Sequence, residues 1–90
     1  MEDDIINELK PFINASKLYA LQEKWQEYQE TDFGRDIAWD YVFQKIYLHA
    51  CLKKQTKIVE WLMEMYTLFN PVTQIAIRRV FHYGEFLLRK

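Results

Sequence analysis

Two glycines and two prolines in ninety residues leave this chain almost without turn punctuation. A many-stranded sheet needs such residues roughly every ten positions. Apolar residues instead recur at spacings of three and four nearly throughout, so the sequence predicts an all-α fold of about five helices in one small domain spanning residues 1–90. With 50% hydrophobic and 28% charged residues the chain is not of disordered composition. Fifteen aromatics (Phe 6, Tyr 6, Trp 3) supply the apolar area a core this small requires.

The spacing predicts a first helix over about Asp3 to Lys10, with Ile5, Ile6 and Leu9 on one side, ending near Pro11. A second, capped by Asn14 or Ser16, reaches about Glu30 with a seam of Leu18, Leu21, Trp25 and Tyr28. The loop Thr31 to Arg35 carries Gly34, free to take positive φ, and Asp36 stands where an N-cap or first-turn acid would face the next helix. From Ile37 to Leu52 twelve of sixteen residues are apolar or aromatic, which marks the central, most buried helix. After Lys53-Lys54-Gln55, Thr56 is the expected cap of a fourth helix whose polar stripe is Lys57, Glu60, Glu64 and Thr67. Asn70-Pro71 starts a fifth helix running to about Tyr83. Gly84 either terminates it or sits within a continuing helix at a cost of about 1 kcal/mol.

The segment Ala50-Cys-Leu-Lys-Lys-Gln-Thr-Lys-Ile-Val-Glu-Trp-Leu-Met resembles the central part of an ankyrin repeat, of the divergent kind abundant in large DNA viruses. Ala50 and Cys51 match the small pair ending a repeat's first helix. Ile58, Val59, Leu62 and Met63 match the core positions of its second. The match covers one repeat and departs from the family at Lys54, where glycine is usual, at Gln55, where histidine is common, and in lacking a Thr-Pro-Leu-His opening. A shift of thirty gives weaker echoes, Ala20-Leu21, Ala50-Cys51 and Val80-Phe81, suggesting degenerate repeats near 14–35, 36–70 and 71–90. The resemblance implies stacked helical hairpins and partner binding without catalysis. A compact helical bundle unrelated to ankyrin repeats is the competing architecture.

The inventory for chemistry is thin. The single cysteine, Cys51, excludes an intramolecular disulfide framework and points to a reducing, intracellular setting. His49 and Cys51 lie two apart on one helix, hence about 200° apart around it, and do not pair. His82 with Glu85 offers at most two metal ligands, and no Gly-rich phosphate loop exists. No catalytic, cofactor or metal site is expected. An acidic amino terminus without an apolar run behind it gives no leader signal, and no stretch has the length of a bilayer span, so a cytoplasmic chain without membrane partners is expected.

Charge is distributed unevenly. Residues 1–40 hold ten acids and four bases, whereas residues 41–90 hold three acids and eight bases. Such a dipolar chain can pair with copies of itself or present a basic face to an acidic ligand. Lys53, Lys54 and Lys57 cluster at the turn before helix four, Trp61 stands at the edge of that helix's apolar arc, and Phe81, Tyr83 and Phe86 crowd the carboxyl end. These seven residues are the expected partner contacts. The expected function is a non-catalytic interaction module docking a host or viral protein. The alternatives are a self-associating structural component, such as a small virion or scaffold protein, and, with least support, a nucleic-acid-binding accessory using the lysines.

Overall fold

The computed structural model describes the backbone of residues 1–90 and every side chain except those of Asp32 and Phe33. Five helices follow one another: α1 (Glu2–Asn14), α2 (Leu18–Glu30), α3 (Trp39–Leu52), α4 (Thr56–Tyr66) and α5 (Pro71–Arg89). A short 3-10 helix, Asp32–Asp36, joins α2 to α3, and no strand occurs among the described residues. The protein is all-α, as the apolar spacing predicts.

Both helical hairpins, α1–α2 and α3–α4, reverse direction by the same device. Ser16 and Lys54, thirty-eight residues apart, each take φ 57°, and no other non-glycine residue described has a positive φ. Around them Ser16 N–H donates to Ile13 O and Lys17 N–H to Phe12 O, as Lys54 N–H does to Cys51 O and Gln55 N–H to Ala50 O. This paired pattern, in which a left-handed residue returns two amides to the carbonyls the helix leaves unpaired, is the Schellman motif. The turns then touch: Ser16 Oγ donates to Gln55 Oε1, and Asn14 Oδ1 lies 2.7 Å from His49 Nε2.

These bonds hold α1 alongside α3 in the same direction, the other end being fixed by Tyr41 OH donating to Asp3 and Ala38 N–H donating to Glu2. α5 also runs parallel to α3, with Phe69 against Phe43 at its start, Phe81 against Tyr47 midway and Lys54 Nζ near Leu88 O at its end. Three parallel helices thus form one layer, and the returning helices α2 and α4 form the second. The shortest molecular dimension, 20 Å, corresponds to two helix diameters of about 10 Å each. α3 packs on α1, α4 and α5, and accordingly buries Val42, Phe43, Ile46, Tyr47, Ala50 and Cys51. Together with Leu9, Ile13, Leu21, Leu62 and Ile77 these make one core, each large aliphatic contributing roughly 1.5–3 kcal/mol by leaving water.

Several local expectations are corrected by tertiary contacts. α1 does not stop at Pro11 but carries it, because Pro11 and Asn7 both lie on the exposed side of the helix, where a carbonyl freed by the missing N–H is open to solvent. Asn14 and Ser16 do not cap α2, whose N-cap is Lys17; their side chains bridge to the second hairpin instead. Thr56 is the first residue of α4, with Gln55 at the cap position, and Asp36 belongs to the 3-10 helix, leaving Asp40 as the first-turn acid of α3. Asn70 does cap α5, its Oδ1 accepting from Thr73 N–H, with Pro71 following as the first helical residue. Gly34 does not use positive φ; it lies so close to the end of α2 that an added Cβ would stand 2.7 Å from Tyr28 O.

Gly84 lies inside α5 and is buried. A Cβ there would stand 2.5 Å from Tyr47 Cε1 and 3.0 Å from Cys51 Sγ, so the bare backbone is what lets α5 settle onto α3. The thirty-residue shift does not relate equivalent positions: Ala20-Leu21 lies within α2, Ala50-Cys51 at the end of α3, and Val80-Phe81 within α5.

Two outcomes test this packing. Helix propensity alone would make Gly84→Ala stabilising by about 1 kcal/mol, whereas the overpacking against Tyr47 and Cys51 makes it destabilising by roughly 1–3 kcal/mol in chemical denaturation. Lys54→Gly relieves a left-handed lysine at the cost of a more flexible unfolded chain, and is expected to stabilise by roughly 0.5–1 kcal/mol in the same measurement.

Candidate groove between the second-layer helices

While α1 and α3 pack side by side along their length, α2 and α4 approach each other only sparsely, and what bridges them is a tryptophan contact. Trp25 of α2 meets Trp61 of α4 edge to face at 6.2 Å, and Trp39 of α3 packs on Trp25 at 5.0 Å from the other side. Trp39 Nε1 donates to Gly34 O, which ties this cluster to the 3-10 connection. The indole N–H of Trp25 is buried and has no acceptor among the described residues. Such an orphaned donor costs about 1–3 kcal/mol.

Above these rings lies a groove of about 520 Å³. Gln22, Gln26, Gln29 and Glu30 form its α2 wall, and Trp61, Met65 and Leu68 form the α4 side. Its mouth continues past Met65 and Leu68 toward Trp39 and Phe69. Leu68 is 78% exposed, a large aliphatic held in water. The outer edge of the α2 wall is acidic, with Glu23, Glu27 and Glu30 lining a neighbouring depression. Lys24 stands 3.4 Å from Glu27, leaving an excess of negative charge along the helix.

The seven expected contacts do not form one surface. Trp61 is half-buried at the groove. Lys53, Lys54 and Lys57 are all exposed around the α3–α4 turn, at the opposite end of α4 from Met65 and Leu68. Phe81 faces inward, packed between Tyr47 at 5.1 Å and Tyr66 at 4.8 Å, and so belongs to the core and not to an open flank. Tyr83 and Phe86 stack on each other at 6.4 Å, both more than half exposed, and share a shallow depression with Arg79 and His82. Met63, expected in the core of α4, is instead 41% exposed.

Gln22, Gln26, Gln29, Met65 and Leu68 were not singled out by the sequence reading. The signal is present in their spacing: the glutamines recur at four and three on one face of α2, and Trp61 and Met65 share a face of α4 that Leu68 extends from the turn just beyond it.

Two further groups bear on chemistry. Burial pushes the Cys51 thiol up, an effect partly offset by its hydrogen bond with the Tyr47 hydroxyl, whose own pKa is raised chiefly by burial. Among the described residues no three His, Cys, Asp or Glu side chains gather where they could hold a metal ion. No helix of the structure is long and apolar enough to cross a membrane. Comparison with known proteins returns no significant match to any family model, curated protein or solved structure.

His49, beside Asn14, is held below the usual imidazole value first by burial and then by the charges of Lys10 and Lys53. Below its ordinary value of 6.5 the unfolded chain therefore takes up a proton that the folded chain resists. Its contribution to stability is complete above that pH and falls as pH drops toward the lowered folded value. Denaturation curves for His49→Gln are expected to lose this part of the acid sensitivity relative to the parent chain.

Proposed function

We propose that this chain is a non-catalytic protein-interaction module whose α2–α4 groove receives a basic amphipathic helix of a partner protein. The observation that carries the reading is the groove itself: an apolar floor of tryptophan, methionine and leucine beside a glutamine-rich wall whose outer edge is acidic. An amphipathic helix binds such a groove through anchors spaced at three, four and seven residues. Tryptophan-lined pockets concentrate binding energy because large rings lose little rotamer freedom.

The ankyrin resemblance supports the same reading. Paired helices stacked in two layers, with Ala50 and Cys51 packed at the end of a first-layer helix and Ile58, Val59 and Leu62 in the core of its return, agree with what it implies. The 38-residue offset of the two turns and the 3-10 connection differ from the family's usual repeat. On the family analogy, the partner is a protein of host or virus.

The test is a titration of the intact chain with a synthetic amphipathic helix carrying Arg and Phe on one face, followed by tryptophan emission. Saturable binding that weakens at least tenfold in Leu68→Glu and survives Lys53→Gln, Lys54→Gln, Lys57→Gln together is expected. Equal binding of an acid-faced control helix, or binding lost only with the lysines, would overturn the groove reading in favour of an anion-binding turn.

A further inference from the structure

The chain itself carries a helix of the chemistry its groove selects. α5 is the third first-layer helix, and α4 reaches only its inner flank, through Tyr66 against Phe81 and Arg78. Its inward face is Ile77, Val80, Phe81, Gly84 and Leu88, packed on the core. Its opposite face is an unpartnered stripe in which Val72, Ile75, Tyr83 and Phe86 are 57–78% exposed. Arg79 and His82 lie among them, and Lys90 Nζ stands 5.8 Å over the Phe86 ring. The positions 72, 75, 79, 83 and 86 recur at three and four, the spacing of anchors along a groove. Glu85 is the one acid in α5, against Arg78, Arg79 and Arg89.

We propose that the groove's occupant is α5 of a second copy of this chain, so that copies join head to tail. The inference rests on the groove being a helix-docking site and names its partner. Charge decides between the ways two copies can meet. Pairing two α5 faces about a two-fold axis would bring the cationic Arg79 and Lys90 of one copy up to those of the other with no acid between them, and like charges brought together across an interface cost several kcal/mol. Against the groove Arg79 and Lys90 would meet Glu30 and the neighbouring Glu23 and Glu27, while Tyr83 and Phe86 would meet Trp61, Met65 and Leu68. The outer face of α1, with Asp4, Asn7, Glu8 and Pro11, is acidic too but offers the aromatic rings no apolar floor.

Length agrees as well. From Gln22 to Glu30 the α2 wall runs about 12 Å, and from Arg79 to Phe86 the anchors run about 10 Å along α5. Each copy offers one groove and one α5 face, so the contact is heterologous and adds copies into open chains or a ring. The patches are small, which places the association at the weak end of specific interfaces and makes it dependent on concentration and salt.

The test is sedimentation of the full chain from micromolar to millimolar concentration at low and high salt, with two variants at exposed positions. Tyr83→Glu with Phe86→Glu removes the α5 face; Leu68→Glu with Glu27→Arg removes the groove. Helical circular dichroism and unchanged melting establish that both fold. Parent mass rising with concentration and falling with salt, each variant monomeric alone, and a one-to-one dimer when the two are mixed are the expected results, since the mixture retains one intact groove and one intact α5 face.

A parent chain that stays monomeric overturns the proposal. So does a groove variant that still dimerises, the mark of α5 pairing with itself, or an association that Asp4→Lys with Glu8→Lys abolishes while the groove variant retains it. A monomeric chain that still binds the synthetic helix would sink the self-association and leave the groove reading standing.

Discussion

A left-handed residue at the close of each first-layer helix is the constraint on which the arrangement depends. Ser16 and Lys54 turn the chain so that two amides return to the helix end, and the departing helix leaves antiparallel after only three connecting residues. Because the device is used twice, α1 and α3 end at the same level, where Ser16 reaches Gln55 and Asn14 reaches His49. Neither serine nor lysine favours that backbone region, which costs an L-residue about 1–2 kcal/mol. Burial of α3 between α1 and α5 offsets it many times over.

The sparse contact between α2 and α4 follows from what fills the second layer. In the first layer, small residues and a glycine bring backbones together: Ala50 and Cys51 at the end of α3, and Gly84 opposite them on α5. Between α2 and α4 the contact is made by two tryptophans, and rings of that size hold helices apart where alanine or glycine would draw them in. The resulting gap is polar on its α2 side because three glutamines and Glu30 line it. Close packing below and ring spacing above thus belong to one design, and the groove is their geometric remainder.

Much of this was legible from residue patterns. The apolar spacing defined five helices, the run from Ile37 to Leu52 marked the central one, and Asn70-Pro71 marked a helix start by purely local chemistry. What escaped was decided by distant partners. Gly34 and Gly84 are punctuation when read locally, yet both are needed for the Cβ they lack against Tyr28 and Tyr47. Pro11 is a helix breaker only where its carbonyl partner is dry. Asn14 and Ser16 have the chemistry of caps, but the second hairpin competes for their side chains and wins. Phe81 looks like its neighbours Tyr83 and Phe86 in sequence, and only the seating of α5 shows that it lies on the other side of the helix.

The contact that seats α5 also encloses the one thiol of the chain. Cys51 is fully buried beneath the bare backbone of Gly84 and beside the Tyr47 hydroxyl, and burial keeps it in the unreactive protonated form. An alkylating reagent reaches that sulfur when this contact opens. The rate of thiol modification in the native chain therefore reports how often the contact between α5 and α3 opens, alone or with the rest of the fold.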